Sequence, residues 1–193
     1  FVGSANIDTN SRLCMASAVA AHNRAFGEDL VPCTYDDLDE ADLILLVGSN
    51  TAWCHPVIWQ RIEAARAARG TKIVVIDPRR TETAEQADLH IAVAPDGDVA
   101  LFNGLLASMA ARGLTTVEGE ECDPGVDAAA FSALADLVAC HPRMVTLFSQ
   151  GANQSRSGTD KGNAIINLHL AMGRISAPGM GPFSITGQPN AMG

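Results

Sequence analysis

The sequence predicts an α/β fold with a doubly wound, mostly parallel sheet of the Rossmann-like kind. Three observations predict it: short aliphatic runs recur along the chain, a polar loop follows each run, and a helical segment follows most of these loops. Repeated alternation of strand, polar loop and helix is typical of parallel sheets that are covered by helices. With 193 residues, of which 47% are hydrophobic, the chain can form one domain with a sizeable core.

Short, mostly aliphatic runs predict the strands, and residues 43–47 are aliphatic throughout. An unbroken run of this kind suits a central parallel strand that is buried on both faces, because no position along it has to face water. A membrane span would need about 18 apolar residues, and the longest aliphatic run has five. The predicted strands are residues 43–47, 72–76, 89–93 and 144–148.

Apolar stripes and helix-end residues predict the helices. Pro56 suits the first turn of a helix, and Gly27, Gly70 and Gly113 suit helix ends. Three segments are described without a helix or strand: the acidic segment 36–42, the polar loop 118–125 and the Gly/Pro-rich chain after Gly173. The predicted helices cover residues 11–26, 56–69, 82–87, 99–112, 128–140 and 158–172.

Composition excludes several classes of function. A net charge of −9 disfavours a duplex-binding module, and 5% aromatic residues argue against a base-stacking platform. Five cysteines without a C-x-x-C spacing argue against a disulfide scaffold, a zinc ribbon or an iron–sulfur loop in this chain. We therefore expect no nucleic-acid or membrane partner. The free cysteines favour a reducing compartment, and we expect a cytoplasmic protein.

The loops that follow the strands are the candidate ligand-binding segments. In doubly wound sheets, ligands bind outside the carboxyl ends of the strands, so loops that are distant in sequence meet at one edge. Residues 143–193 carry a net charge of +3 against −12 for residues 1–142, which suits a small anionic ligand, although a loop-rich tail explains it more simply. The candidate segments are residues 48–55, 77–80, 95–98 and 149–154.

Three positions in or near these segments have chemistry that a ligand site would use, and each has a plainer interpretation. The small residues from Gly48 to Ala52 would let backbone amides approach a phosphate, but an ordinary strand-to-helix turn explains them better. Asp77 would accept a hydrogen bond from a ribose or a guanine, or it caps a helix or pairs with Arg79. Cys14, in a first helical turn, suits a nucleophile or a soft metal ligand, but taken alone it fits a buried small residue better.

Five ordered segments together resemble the molybdopterin oxidoreductases of the nitrate reductase and formate dehydrogenase group. The last segment is most similar to assimilatory nitrate reductases. The five span nearly the whole chain, so the joint signal is specific although each piece is weak. The segments are NIDTNSRLCM at 6–15, GSNTAWCHP at 48–56, DPR at 77–79, SQGANQS at 149–155 and GQPNAMG at 187–193.

The resemblance implies a molybdenum bis-molybdopterin guanine dinucleotide cofactor, with Cys14 as the protein ligand to the metal. Met15 beside Cys14 favours nitrate over formate, so both residues are candidate catalytic residues. In the family, Asn50 and Cys54 would lie near the phosphates of one dinucleotide. The nucleotide would be held by Asp77 and Arg79 with Asp98 nearby, and the pterin would be approached by Gln150, Gln154 and Gln188. The remaining implied cofactor-binding residues are Arg12, His55, Pro78, Gly97 and Gly151.

The resemblance also implies a larger enzyme that reduces nitrate to nitrite, of which residues 1–193 would be a single cofactor-binding domain. Both chain ends look like cuts, so an iron–sulfur domain is expected upstream, and an arginine near the metal is expected beyond Gly193. Residues 115–131 look shorter than in relatives. Electrons would come from ferredoxin, flavodoxin or NADH. The alternatives are a formate dehydrogenase or periplasmic nitrate reductase and, in another class, a non-catalytic nucleotide-binding module. The chain alone is expected to be inactive.

Overall fold

The computed structural model describes residues 3–6, 11–119 and 122–185, and for residues 11–13 it describes the backbone alone. Within these ranges five parallel strands form one sheet in the order β3-β2-β1-β4-β5. The strands are β1 (Leu43–Val47), β2 (Lys72–Ile76), β3 (Leu89–Ile91), β4 (Met144–Phe148) and β5 (Gly181–Ser184).

Nine helices lie in the described ranges. Five are long, with 13 to 16 residues each, and four are single turns of four or five residues that follow or precede strands. The helices are α1 (Ser11–Phe26), α2 (Asp36–Glu40), α3 (Thr51–Cys54), α4 (Pro56–Arg69), α5 (Glu82–Glu85), α6 (Asp98–Ala111), α7 (Ala128–Cys140), α8 (Gln150–Asn153) and α9 (Gly158–Ala171).

The strand order reverses direction at β1, and this creates the crevice that matters for ligand binding. Strands β2 and β3 extend the sheet to one side of β1, while β4 and β5 extend it to the other. Val47 at the end of β1 lies in register with Ile76 of β2 and with Phe148 of β4. The loops that follow these three strands therefore begin side by side, at the switch point where such sheets bind ligands.

The sheet is buried on both faces, as its aliphatic strands require. Leu43, Leu45 and Val47 belong to a core shared with α1, α6, α7 and α9, whereas Ile44 and Leu46 belong to a core shared with α2, α4 and α5. Successive side chains of a strand point to opposite faces, so β1 contributes to both layers. The burial of all five β1 residues explains why the run contains no polar position.

The predicted α/β class is confirmed, and three strands have the predicted bounds. Three details differ. The third strand ends at Ile91 rather than at residue 93, and single-turn helices occupy parts of the loops. A fifth strand, β5, lies in the Gly/Pro-rich region that carried no predicted element. Pro182 is tolerated there because β5 lies at the edge of the sheet and pairs with β4 alone.

No helix in the described ranges is both long enough and apolar enough to cross a membrane.

Candidate functional site

A contact between two glycines forms the floor of the crevice. Gly48 follows β1 with a left-handed backbone φ of 55°, and its carbonyl oxygen accepts a hydrogen bond of 3.0 Å from the amide of Gly151. A Cβ atom on either glycine would lie 2.6 Å from backbone atoms of the opposite loop. The loops after β1 and β4 therefore touch backbone to backbone, which only glycine allows.

The thiol of Cys14 meets two glutamines at this edge. Cys14 lies in the first turn of α1 and is half-buried. The Nε2 amide of Gln150 donates to its Sγ at 3.2 Å, and the Nε2 amide of Gln154 donates at 3.6 Å. The Oε1 atom of Gln150 is buried and has no hydrogen-bond partner in the part of the chain that the structure describes. The predicted metal ligand thus lies beside two predicted cofactor residues.

The structure places the other predicted residues of this region in different environments. Met15 is 5% exposed, so its side chain is packed inside the protein. Of the other predicted residues, Arg12 has an undescribed side chain, and Gln188 lies outside the described ranges. Gly97 immediately precedes α6, and a Cβ atom there would lie 2.9 Å from the side chain of Val93.

The loop after β1 is tied to α5 through Asn50. The hydroxyl of Thr83 donates to Asn50 Oδ1 at 2.8 Å and accepts a hydrogen bond of 3.0 Å from the amide of Ala52. Cys54 is exposed. His55, which precedes α4, is half-buried, and neither ring nitrogen has a hydrogen-bond partner among the described residues. The imidazole of His55 is therefore a buried polar group whose hydrogen bonds are not satisfied by the described residues.

The loop after β2 presents a buried carboxylate. Asp77 is 6% exposed, and its Oδ1 accepts a 2.8 Å hydrogen bond from the amide of Arg79. The Arg79 Nε lies 3.9 Å from the same oxygen, while the Arg79 side chain is largely exposed. The backbone carbonyl of Asp77 contacts His90 Nε2 at 2.9 Å. Asp77 is thus held by its own loop through one oxygen, and both interpretations of Asp77 from the sequence stay compatible with the geometry.

These loops line an open cavity of about 480 Å³ at the carboxyl edge of the sheet. Its wall includes predicted residues from the loops after β1, β2 and β4 and from the start of α6. Of the other wall residues, Pro95 and Asp96 lie in the candidate segment 95–98 and Ser155 ends the matched segment 149–155, whereas Ile76 and Lys161 were not predicted as site residues. The predicted residues in the wall are Gly48, Asp77, Pro78, Arg79, Asp98, Gly151 and Gln154.

Lys161 is the main residue that sequence reasoning missed. It is 2% exposed, and its Nζ lies 3.0 Å from Asp96 Oδ1 and 2.9 Å from Asp98 Oδ2. Burial disfavours the charged ammonium, but hydrogen bonds with Asp98 and Asp96 outweigh burial and raise the pKa of Lys161. The same ammonium lowers the pKa of the Asp96 carboxyl. A lysine inside a helical segment usually faces solvent, so nothing in the sequence pattern indicates this burial.

The described residues contain no group of three or more His, Cys, Asp or Glu side chains that could hold a metal ion. Cys14 therefore belongs to no such group among the described residues.

Comparison with known proteins places this geometry in context. Curated relatives match the whole chain or nearly all of it. They include a nitrate reductase of Klebsiella oxytoca, an assimilatory nitrate reductase of Haloferax mediterranei and a periplasmic nitrate reductase of Desulfovibrio desulfuricans, at 50%, 39% and 36% identity. The chain spans 24%, 29% and 30% of their lengths, respectively. The Klebsiella alignment extends over 214 positions against the 193 residues here, so that relative is longer within the matched region.

Among solved structures, the acetylene hydratase of Pelobacter acetylenicus has a similar fold, with a TM-score of 0.70 at 21% identity. The match covers 91% of this chain and 26% of the hydratase chain. The Molybdopterin oxidoreductase family model matches residues 2–192. Such a match over nearly the full sequence, together with these relatives, shows that the chain belongs to the molybdopterin oxidoreductase family.

Proposed function

We propose that this chain is the cofactor-binding domain of a molybdenum nitrate reductase, in which it binds one guanine dinucleotide of a bis-molybdopterin guanine dinucleotide cofactor. One observation carries the proposal. The sulfur of Cys14 lies within hydrogen-bond reach of Gln150 and Gln154, and Gln154 also lines the cavity that contains Asp77 and Arg79. A soft metal ligand and a nucleotide-sized cavity thus adjoin at the switch point of the sheet.

The residues at this edge fit such a cofactor. A thiolate suits a soft or high-valent metal, and the lack of further ligands among the described residues suits a metal that arrives bound to its own sulfur ligands. The glycine contact between Gly48 and Gly151 leaves backbone at the crevice floor without side chains above it. Gln150 Oε1 and the ring of His55 are buried polar groups without a described partner, as expected of a site that is completed by a polar ligand.

Each predicted residue would contact the part of the cofactor that lies nearest to it. Cys14 would bind the metal, with Gln150 and Gln154 donating to its sulfur. Asp77 has one oxygen engaged by its own loop, so its other oxygen would accept from the guanine or ribose, and the exposed guanidinium of Arg79 would approach an anionic group of the dinucleotide. The remaining proposed cofactor contacts are Arg12, Asn50, Cys54, His55, Pro78, Gly97, Asp98, Gly151 and Gln188.

Oxygen-atom transfer is the chemistry that bound molybdenum would supply. In the net reaction nitrate takes up two electrons and two protons, and nitrite and water are released. The protein's contribution here is to bind and orient the cofactor and to tune the metal through the Cys14 thiolate. The three relatives compared above are named as nitrate reductases, which supports nitrate as the substrate.

The greater length of the relatives supports further domains beside this one. Because the chain spans about a quarter to a third of them, we propose that it works with further domains of one polypeptide. One of these would carry a 4Fe-4S cluster that receives electrons from ferredoxin, flavodoxin or an NADH-linked donor. We propose a cytoplasmic, assimilatory enzyme, and the assimilatory Haloferax relative supports that choice. The periplasmic Desulfovibrio relative marks the alternative.

Metal analysis and a substrate assay on the full-length protein test the proposal. We expect about one molybdenum and two guanosine nucleotides per polypeptide after acid hydrolysis, and nitrite formation from nitrate with a reduced dye as electron donor. Activity with formate in place of nitrate would identify the formate dehydrogenase alternative. A guanosine nucleotide without molybdenum or turnover would identify a non-catalytic nucleotide-binding module and would overturn the proposal.

A further inference from the structure

The sequence contains two lysines, and they lie at opposite ends of the sheet. Lys72 begins β2, is 46% exposed and pairs with Asp88 at 3.1 Å. Lys161 lies in the first turn of α9, is 3% exposed in its side chain and lines the cavity at the carboxyl edge. A lysine is rarely buried this deeply unless it is paired, and burying a charge is costly. The position of Lys161 therefore calls for an explanation that Lys72 does not need.

The partners of Lys161 are the two acidic residues at the start of α6. Its ammonium lies 2.9 Å from Oδ2 of the buried Asp98 and 3.0 Å from Oδ1 of Asp96. Asp96 has a left-handed backbone φ of 65°, which is unfavourable for a residue other than glycine, and Ser157 also donates to its Oδ1 at 3.0 Å. Two contacts from the segment around α9 thus hold a strained loop residue beside the cavity.

The negative charge of the cavity wall gives the buried ammonium of Lys161 a role. Three carboxylates, Asp77, Asp96 and Asp98, line the cavity together with the exposed Arg79. A dinucleotide carries an anionic diphosphate, which unpaired carboxylates would repel. Lys161, in the wall of the same cavity, neutralises part of that charge through its pairs with Asp96 and Asp98. It engages Oδ2 of Asp98, so Oδ1 of the same carboxylate stays available for a hydroxyl or an N–H group of a ligand.

We propose that Lys161 is a positioning residue for the nucleotide: it fixes the carboxylates of Asp98 and Asp96 in the cavity wall, so that Asp98 accepts a hydrogen bond from the nucleotide without repelling its phosphates. This inference rests on the proposed function. The competing explanation is an ion pair that serves only to join α9 to α6. The two explanations differ in what happens when both charges are removed together.

Three variants of the full-length protein test this: Lys161→Met, Asp98→Asn and the double variant. Two quantities are measured for each. One is the unfolding temperature of cofactor-free protein, and the other is the rate at which guanosine nucleotide, quantified after acid hydrolysis, is lost from loaded protein during warm incubation. Lys72→Met is the matched control, because it removes the other lysine and its ion pair far from the cavity.

We expect each single variant to lose nucleotide about tenfold faster than the unmodified protein, since a charged group left unpaired costs roughly that factor. The double variant should regain most of the unfolding temperature, because no lone buried charge remains, yet still lose nucleotide about tenfold faster. Lys72→Met should retain nucleotide normally. The double variant keeps the test valid if Lys161→Met alone fails to fold.

Two results would overturn the inference while leaving the proposed function intact. One is a double variant that regains stability and also retains nucleotide normally, which would make the ion pair merely structural. The other is a folded Lys161→Met protein with an unchanged rate of loss. A full-length protein that carries no guanosine nucleotide at all would instead overturn the proposed function, and this inference with it.

Discussion

At the scale of single residues, Cys14 is the position on which the proposed function depends most directly. We expect Cys14→Ala in the full-length enzyme to abolish turnover while most of the cofactor stays bound. Several distant loops, including those of Asn50, Asp77 and Gln150, would hold the dinucleotide, so the loss of one ligand should not release it. Removal of the thiolate changes the metal's geometry and potential. The measurement is specific activity per bound molybdenum.

Cys140→Ala is the control for this experiment. Cys140 is an exposed cysteine at the end of α7. Its replacement should leave activity per molybdenum unchanged. If Cys14 were only a half-buried packing residue, Cys14→Ala would cost roughly 1 kcal/mol of stability and would keep its activity. Near-normal activity per molybdenum in Cys14→Ala would therefore show that the thiol does not bind the metal.

Gln150 provides a second prediction at the residue scale. Its Nε2 donates to Cys14 Sγ at 3.2 Å. Hydrogen bonds to a ligating sulfur reduce the electron density that it donates and favour the reduced metal. We expect Gln150→Ala to lower the reduction potential of bound molybdenum, as measured by redox titration followed by electron paramagnetic resonance. Gln60→Ala, on the exposed side of α4, should leave the potential unchanged. An unaltered potential in Gln150→Ala would refute this role of the amide.

At the scale of elements, the contact between the loops after β1 and β4 is the least tolerant feature of the site. Gly48 and Gly70 both have left-handed backbones, with φ of 55° and 76°, but only at Gly48 would a Cβ meet another backbone. We expect Gly70→Ala to cost about 1 kcal/mol through backbone strain alone. Gly48→Ala should cost about 1–3 kcal/mol more, because it also overpacks the contact. Urea denaturation of both variants measures the difference, and equal costs would contradict the contact.

The link between α9 and β4 gives a prediction about pH. His169 is fully buried, and burial lowers its pKa from 6.5 to about 4. Its Nε2 contacts Thr146 Oγ1 at 2.8 Å, and its Nδ1 contacts the carbonyl of Arg174 at 2.9 Å. The carbonyl can only accept, so Nδ1 carries the proton and Nε2 accepts from Thr146 in the neutral ring. The neutral imidazole therefore satisfies both partners.

Because the folded-state pKa of His169 is depressed, its contribution to stability is complete above pH 6.5 and is lost as pH falls toward 4. The loss should total roughly 3 kcal/mol, at about 1.36 kcal/mol per pH unit. We expect His169→Gln to be less stable at pH 7 but to lose less stability between pH 6.5 and 4. Denaturation midpoints across that range measure it, and parallel curves for the two proteins would show that His169 does not titrate on unfolding.

The elements also show how far sequence reasoning reaches. Strands β1, β2 and β4 were predicted at their observed bounds, because a strand buried on both faces leaves a short, mostly aliphatic run. β1 is aliphatic throughout, β2 is aliphatic after Lys72, and β4 contains one polar residue, Thr146. Strand β5 has no such run: Gly181 and Pro182 are poor strand residues that only an edge position beside β4 accepts. Lys161 was missed for a related reason, since its burial depends on Asp96 and Asp98, which pair with it only in the folded chain.

The candidate site was predictable in its location and less so in its contacts. Parallel topology alone brings the loops after β1, β2 and β4 to one edge, so Gly48, Asp77 and Gln150 were expected to be near each other. The hydrogen bond from Gln150 to Cys14 depends on how the start of α1 packs against α8. Cys14 and Gln150 are 136 residues apart in the sequence, and their contact depends on how side chains from the two helices fit together. A pattern read along the sequence does not contain that information.

At the scale of the whole molecule, the surface next to the site indicates how the domain works. Trp53 and Val57 are 72% and 77% exposed, on α3 and α4 just after the Gly48 loop. Large apolar side chains with this exposure, close together in the sequence, suit a surface that contacts another protein unit. Weak self-association of the isolated chain is the expected consequence. The sedimentation coefficient should rise with concentration, and Trp53→Ser should reduce the rise, whereas a constant monomeric value for the unmodified chain would refute it.

The last prediction is that residues 1–193 alone form the α/β domain but do not reduce nitrate. The described residues supply the Cys14 sulfur and the wall of one cavity that we propose for a nucleotide, and they contain no group of three or more possible metal ligands. The chain also spans only 24% of the Klebsiella relative. Turnover requires the metal ligand with its first dinucleotide site, a site for the second dinucleotide and a path for electrons. If the last two belong to other domains, the chain supplies only the first. Purified chain should unfold cooperatively yet form no nitrite from nitrate with reduced dye and added cofactor, under conditions in which the full-length enzyme is active. Measurable nitrite formation by the chain itself would show that the active site is complete within these 193 residues.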